Sequence, residues 1–259
     1  MADSTKRQTI ERRFSAAAST YDHYARVQRS VAEESARLLR IHAPPPACIL
    51  DIGCGTGAVI QALGSDYALT GLDISQAMIT EACLKNPGDI DWIHSDILEY
   101  TCDTPYDILV SASTLHWLRP LDDLFAHLQG LLVPGGLAVF ALMLDGSLSE
   151  LHALRAAYSP GKQKGPLPGA DEVADAMNRS GFSVASTHFQ SFKSHYPEAA
   201  TLIRHLHNSG VTARTTSKAL TRGELNELTQ AYDTLVRDAK GVYATWQVGY
   251  FIGRNSTRP

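Results

Sequence analysis

Between Ile49 and Gly57 the chain reads Ile-Leu-Asp-Ile-Gly-Cys-Gly-Thr-Gly, an apolar, β-prone segment closed by Asp51 and broken by glycines at 53, 55 and 57. Glycine has no Cβ, so the backbone can turn sharply there and lie against a ligand that a side chain would hold off. From Ala58 the pattern becomes helical, with Ile60, Gln61, Ala62 and Leu63, which sets a helix N-terminus beside the loop. Strand, glycine turn and helix start together make the nucleotide-binding corner of a Rossmann-like sheet. The spacing is Gly-x-Gly-x-Gly, not the Gly-x-Gly-x-x-Gly of dinucleotide sites, and a turn of this kind also serves as a plain strand-to-helix connection. Asp73, closing the segment Ala68–Asp73, adds a second element. An acid about 20 positions along, at the tip of the second strand, is placed to hold a ribose diol.

These residues resemble the S-adenosylmethionine site of class I methyltransferases. In a doubly wound sheet, ligands bind beyond the carboxyl ends of the strands, so the tips Asp51–Gly57, Asp73, Ser95-Asp96 and Ser111–His116 are expected to converge. Asp51, Gly53, Cys54, Gly55 and Gly57 suit the amino-acid end of the cofactor, Asp51 as a structural hydrogen-bonder or a contact through water. Asp73, followed by Ile74, can accept both ribose hydroxyls. Asp96 can accept from the adenine amino group while the Ile97 amide donates to the ring, with Ser95 and Ser111 at neighbouring strand ends. Met78 either lies against the adenine through its polarisable sulfur or fills the core.

Composition bounds the rest. At 259 residues the chain fits one large α/β domain with room for extra helices. No stretch offers the roughly 20 consecutive apolar residues of a bilayer span. Residues 1–10 are polar and lack the apolar core of a secretory signal. The four cysteines, Cys48, Cys54, Cys83 and Cys102, show neither Cys-x-x-Cys spacing nor a disulfide framework, so free thiols in a cytoplasmic setting are expected. The ten histidines include His205-Leu206-His207 but no zinc-like ligand set, and no metal is expected. A net charge of −4 gives no sign of nucleic acid as a partner. Between Ala176 and Gly223, however, Arg179, Lys193, Arg204, Arg214, Lys218 and Arg222 face one acid, Glu198. That stretch is either a scattered, solvated surface or an attraction for an acidic partner.

The expected architecture is a seven-stranded, mostly parallel sheet with helices on both faces, an N-terminal helical leader and a small helical cap, in a single domain. Residues 1–45 form the leader, with 1–24 expected to be partly mobile and Ala25–Ile41 helical. Pro44-Pro45-Pro46 stops that helix. Residues 46–143 form the cofactor-binding core: strand 47–52, helix 57–64, strand 68–73, helix 75–85 capped by Ser75, strand Asp91–His94, buried strand Tyr106–Ser111, helix Leu121–Leu132 and strand Leu137–Leu142. Residues 144–240 carry cap insertions, with helix Ser149–Tyr158, a Pro/Gly loop over 159–169, helix 171–180, strand Phe182–Ser191 and helices Pro197–Asn208 and Thr221–Arg237. Residues 241–253 supply the last strand, rich in β-branched and aromatic residues.

The resemblance narrows over the leader and tail. Phe14–Gln28, with Tyr21, Ala25 and Gln28, is similar to the N-terminal signature of the malonyl-acyl-carrier-protein O-methyltransferases of biotin synthesis. So are Leu50–Gly57, Leu72–Met78, Ser113-Thr114-Leu115-His116-Trp117, Leu202–Gly210, Lys218–Thr221 and Tyr243–Val248. The resemblance implies methyl transfer from S-adenosylmethionine to the free carboxylate of a malonyl thioester on an acyl carrier protein, an acidic partner suited to the basic stretch. Gln28 joins the cofactor residues on the same ground. A carboxylate acceptor is already ionised at neutral pH and needs no general base, only donors that hold one oxygen while the other meets the methyl group. Arg204 is expected to clamp it, with Tyr21, His116 and Trp117 lining the pocket. His116 replaces the glutamine common at that place in the family. Arg204 as a surface cation and Trp117 as packing are the plainer readings. A small free acid of aconitate type, another acceptor of the same fold class, and a protein that binds the cofactor without turnover all remain open at this level.

Overall fold

The computed structural model describes residues 2–158, 167–209 and 221–256, with the side chains of 2–6 and 158 left aside. Eight strands form one sheet: β1 (Cys48–Ile52), β2 (Ala68–Asp73), β3 (Ile90–His94), β4 (Tyr106–Ala112), β5 (Leu132–Met143), β6 (Phe182–Tyr196), β7 (Arg237–Asp238) and β8 (Gly241–Asn255). The order is β3-β2-β1-β4-β5-β8-β6, and β7 pairs with β8. β1 to β5 are mutually parallel and β8 runs antiparallel between β5 and β6. The sheet thus has one strand more than expected, because the two residues of β7 pair with Gly241 and Val242 at the start of β8. β6 also runs past Ser191 to Tyr196 in continuous pairing with β8.

Alternation along the strands builds two cores, since successive side chains point to opposite faces. Ile49, Ile108, Val110, Val139 and Ala141 join one; Leu50, Ile52, Leu109, Phe140 and Leu142 join the other. Helix α3 (Arg26–His42) covers the first core with α4 (Ala58–Leu63), and α6 (Leu121–Gly130) with α8 (Ala170–Arg179) covers the second. Helix α5 (Gln76–Lys85) follows β2, and Ser75 caps it, its Oγ accepting from the Met78 amide at 3.3 Å. Helices α7 (Ser149–Tyr158), α9 (Ala199–Asn208) and α10 (Arg222–Leu235) gather beside β8. Tyr232 ties α10 down, its Oη donating to the Tyr243 carbonyl at 2.7 Å. Among the described residues, no helix is long and apolar enough to cross a membrane.

The helical leader extends over residues 2–24, where periodicity alone announces no helix. Residues Ala2–Ala17 form a helix, α1, followed by a 3₁₀ turn and the short helix α2 (Tyr21–Tyr24). Against a polar background, Arg7, Ile10 and Phe14 recur at three- and four-residue spacing and share one helix face. That face lies on the sheet's carboxyl rim, where Ile10 is buried. Two apolar side chains in two turns are too few for periodicity to announce a helix, and the surface that orders them belongs to distant parts of the chain.

Candidate active site

The strand order reverses between β1 and β4, so their carboxyl ends open a crevice that helices cannot fill. A cleft with about 1070 Å³ of empty space, its open mouth included, occupies it. Its floor is the glycine loop. Gly53 and Gly57 have φ of +67° and +85°, and a Cβ on either would lie 2.2 Å from the Thr114 side chain or 2.4 Å from that of Asn86. Both positions therefore require glycine twice over, for backbone conformation and for space.

Asp73 ties the loop to the second strand. Its Oδ2 accepts from the Gly55 amide at 2.9 Å and its Oδ1 from the Ser75 amide at 2.8 Å. Each carboxylate oxygen can accept twice, so both keep capacity toward the cleft. Burial pushes the Asp73 pKa up, and these two amide bonds oppose the rise. Asp51 is different. It is 1% exposed, and neither carboxylate oxygen has a hydrogen-bond partner in the protein. Burial, with Asp73 adding its charge, raises its pKa to about 8. A buried carboxyl without partners on the wall of a cleft fits a cationic ligand group, and the ammonium of S-adenosylmethionine is one.

The leader forms the opposite wall. Thr56 Oγ1 donates to Asp22 Oδ1 at 2.6 Å, and Lys85 Nζ lies 3.0 Å from Asp22 Oδ2. Burial raises the Asp22 pKa, but the hydrogen bonds from Thr56 and Lys85 outweigh it and hold the group ionised. Ser15 and Ser75 share a hydroxyl bond of 2.8 Å. Phe14 meets Tyr21 and Trp117 edge-on, with centroids 6.1 and 5.9 Å apart. The Tyr21 phenol is pushed well above its ordinary pKa by burial and by the charges of Asp73 and Asp22. At the adenine end expected from sequence, Asp96 Oδ1 accepts from the Leu98 amide at 3.0 Å while Oδ2 pairs with Arg7 Nη1 at 2.5 Å.

The cleft brings together Tyr21, Gln28, Asp51, Gly53, Cys54, Gly55, Asp73, Ile74, Met78, Ser95, Asp96, Ile97 and Trp117. Four expected residues stand elsewhere. Gly57 sits behind the loop at the start of α4. The Ser111 hydroxyl donates to the Ile52 carbonyl at 2.8 Å, a tie between adjacent strands. His116 is 4% exposed and outside the cleft lining, with its Nδ1 accepting from the Met143 amide at 3.5 Å and its ring 5.3 Å from that of Trp117. Arg204 is exposed on α9, outside the cleft lining. Its neighbour His205 instead packs on Tyr24 and Tyr196, at 4.8 and 5.1 Å between centroids. Arg214 and Lys218 lie outside the described residues. Sequence reasoning missed Arg7 and Arg29, which also line the cleft, and placed Ser113 only within the converging tip Ser111–His116, without a role of its own. The spacing of Arg7, Ile10 and Phe14 was the available sign for the first; nothing local marked Arg29.

A doubly wound sheet whose glycine loop, Asp51 and Asp73 surround one cleft at the switch point defines a class I methyltransferase with S-adenosylmethionine as cofactor. The family model described as "Methyltransferase domain" matches residues 21–187. A malonyl-[acyl-carrier protein] O-methyltransferase from Geobacter sulfurreducens is 30% identical, over 96% of this chain and 98% of that one. Another of the same name from Methylovorus sp. is 27% identical, over 93% and 86%. The chain belongs to the malonyl-[acyl-carrier protein] O-methyltransferase family. Among solved structures, the N-methyltransferase NodS from Bradyrhizobium japonicum with S-adenosyl-L-homocysteine shares the fold, with TM-score 0.57, 17% identity and coverage of 97% and 99%. Magnesium protoporphyrin IX methyltransferase from Synechocystis PCC 6803 with bound S-adenosyl-L-homocysteine does so at TM-score 0.52, 17% identity and coverage of 86% and 82%.

Proposed function

We propose that the chain moves a methyl group from S-adenosylmethionine onto the free carboxylate of a malonyl group held as a thioester on an acyl carrier protein. The supporting observation is the acceptor end of the cleft. Among the described residues lining it there is no histidine or lysine, and His116 is turned to the Met143 backbone. Tyr21 is driven away from ionisation, and Asp51 and Asp73 serve the glycine-loop side. An amine or hydroxyl acceptor asks for a base there; a carboxylate, with a pKa of about 4, does not.

S-adenosylmethionine, when bound, supplies a methyl group on an already activated leaving group. The chain's own residues then align the reactants and exclude water. Phe14, Tyr21 and Trp117 close the acceptor side, and Asp22 on Thr56 pins the leader over the glycine loop. In this reading Arg204, exposed on α9, meets the acidic carrier at the surface rather than clamping the carboxylate. The ester hides the malonyl charge, so the acyl group can prime pimeloyl synthesis for biotin, and the four free cysteines suit a cytosolic location.

Incubating malonyl-loaded carrier protein with the chain and S-adenosylmethionine, followed by mass spectrometry of the carrier, tests the reading. The expected result is one added methyl, lost again on treatment with a carboxylesterase that leaves the thioester intact. Methylation of small free acids with none on the carrier would overturn it.

A further inference from the structure

Ser113 stands where β4 ends and the chain turns toward Trp117. Its amide still donates to the Ala141 carbonyl at 2.9 Å, and the next residue, Thr114, donates through Oγ1 to the Gly53 carbonyl at 3.1 Å. Between these anchors Ser113 is held at φ +63°, in the left-handed region that side chains disfavour. Only one other described residue with a side chain, Leu148, has a positive φ. The Ser113 Oγ is buried and has no hydrogen-bond partner in the protein. The residue lines the cleft, with Thr114 and Trp117 following it along the same wall. A strained backbone and an unpaired hydroxyl at one position of a binding wall mark a group held ready for a ligand.

We propose that Ser113 is an acceptor-binding residue: its Oγ–H donates to one oxygen of the acceptor carboxylate and leaves the other free to attack. The proposal rests on the carboxylate-acceptor reading above. Asp51 and Asp73 line the glycine-loop side of the cleft, and its wall also carries Asp22 and Asp96, each with an arginine beside it, Arg29 4.0 Å from Asp22 and Arg7 2.5 Å from Asp96. With these cations engaged by acids, an anionic acceptor needs a further donor close to where it reacts. A hydroxyl meets that need without taking a proton. In the step itself the new bond forms between the carboxylate oxygen and the methyl carbon, the methyl–sulfur bond breaks, and its electron pair stays on sulfur. One anion and one sulfonium become a neutral ester and a thioether, and no proton moves.

Two variants test this against a merely structural turn. Ser113→Gly removes the hydroxyl and adopts positive φ without strain; Ser113→Asn tolerates the left-handed region and keeps a donor. For Ser113→Gly we expect acceptor KM to rise roughly 10–100-fold, with calorimetric affinity for S-adenosylmethionine unchanged and melting temperature unchanged or higher. Ser113→Asn should recover part of the KM. An unchanged acceptor KM in Ser113→Gly overturns the proposal. So does weaker cofactor binding with acceptor KM intact, which would assign the hydroxyl to the cofactor's own carboxylate. If the unmodified chain methylates no carboxylate at all, the functional reading fails, and this proposal with it.

Discussion

Arg7 Nη1 lies 2.5 Å from Asp96 Oδ2, joining the first helix to the loop after β3 across 89 positions of sequence. The pair is largely shielded, with side chains 23% and 12% exposed, and Glu99 adds a looser contact at 3.4 Å. It makes α1 part of the cleft wall, beside the acid that the sequence reading expects at the adenine amino group.

Arg7→Met should therefore loosen the leader while leaving the sheet intact. Hydrogen exchange over residues 7–20 is expected to accelerate, and affinity for S-adenosylmethionine to fall by about 1 kcal/mol, the upper range for an ion pair of this exposure. Unaltered exchange in α1 would show that Ile10 and Phe14 hold the helix without the ion pair.

Asp51 makes the protein's stability depend on pH in a definite direction. Its folded-state pKa of about 8 lies above the ordinary carboxylate value near 4. Between those pH values the folded chain binds a proton that the unfolded chain has released, so stability falls as pH rises through the window. Asp51→Asn should flatten that fall and raise the melting temperature at pH 8, by roughly 2–4 °C for each kcal/mol recovered. The same change should weaken cofactor binding, and affinity in the unmodified chain should increase toward pH 8. Parallel pH profiles for the two proteins would refute this account.

Gly53→Ala asks for a Cβ 2.2 Å from Thr114 at φ +67°. The loop must shift, and the Gly55 amide that reaches Asp73 shifts with it. Cofactor binding is expected to drop below detection by calorimetry, with a stability loss of about 1–3 kcal/mol. Pairing the change with Thr114→Gly should restore part of the stability, since it removes the obstructing side chain but not the backbone strain.

His116→Gln should be mild. An amide oxygen can accept from Met143 as the imidazole does, and cofactor affinity and turnover are expected to stay near those of the parent. His116→Leu leaves that buried amide unpaired and should cost about 1–3 kcal/mol in denaturant unfolding. A large turnover defect in His116→Gln with stability preserved would return the ring to the chemistry.

What the chain announces locally, it announced well. The glycines at 53, 55 and 57 and the acids at 51 and 73 belong to short strand–turn units whose geometry is set within a few residues. The alternation of Leu50, Ile52, Leu109 and Phe140 against Ile49, Ile108 and Val139 foretells a sheet buried on both faces, because the strand period is fixed by the backbone. The added strand β7 escaped notice because two residues carry no period.

The tertiary structure decided matters that depend on what a side chain meets across many residues of separation. Arg7 finds Asp96, Asp22 finds Thr56, and the ring of His116 turns to Met143 instead of the cleft, none of which sequence neighbours encode. Arg204 stays outside because α9 buries Leu202 and Leu206 and turns the position between them to solvent. Periodicity fixes which face of an element is buried; only packing fixes what that face is buried against, and the leader's side of this cleft is made largely of the latter kind of contact.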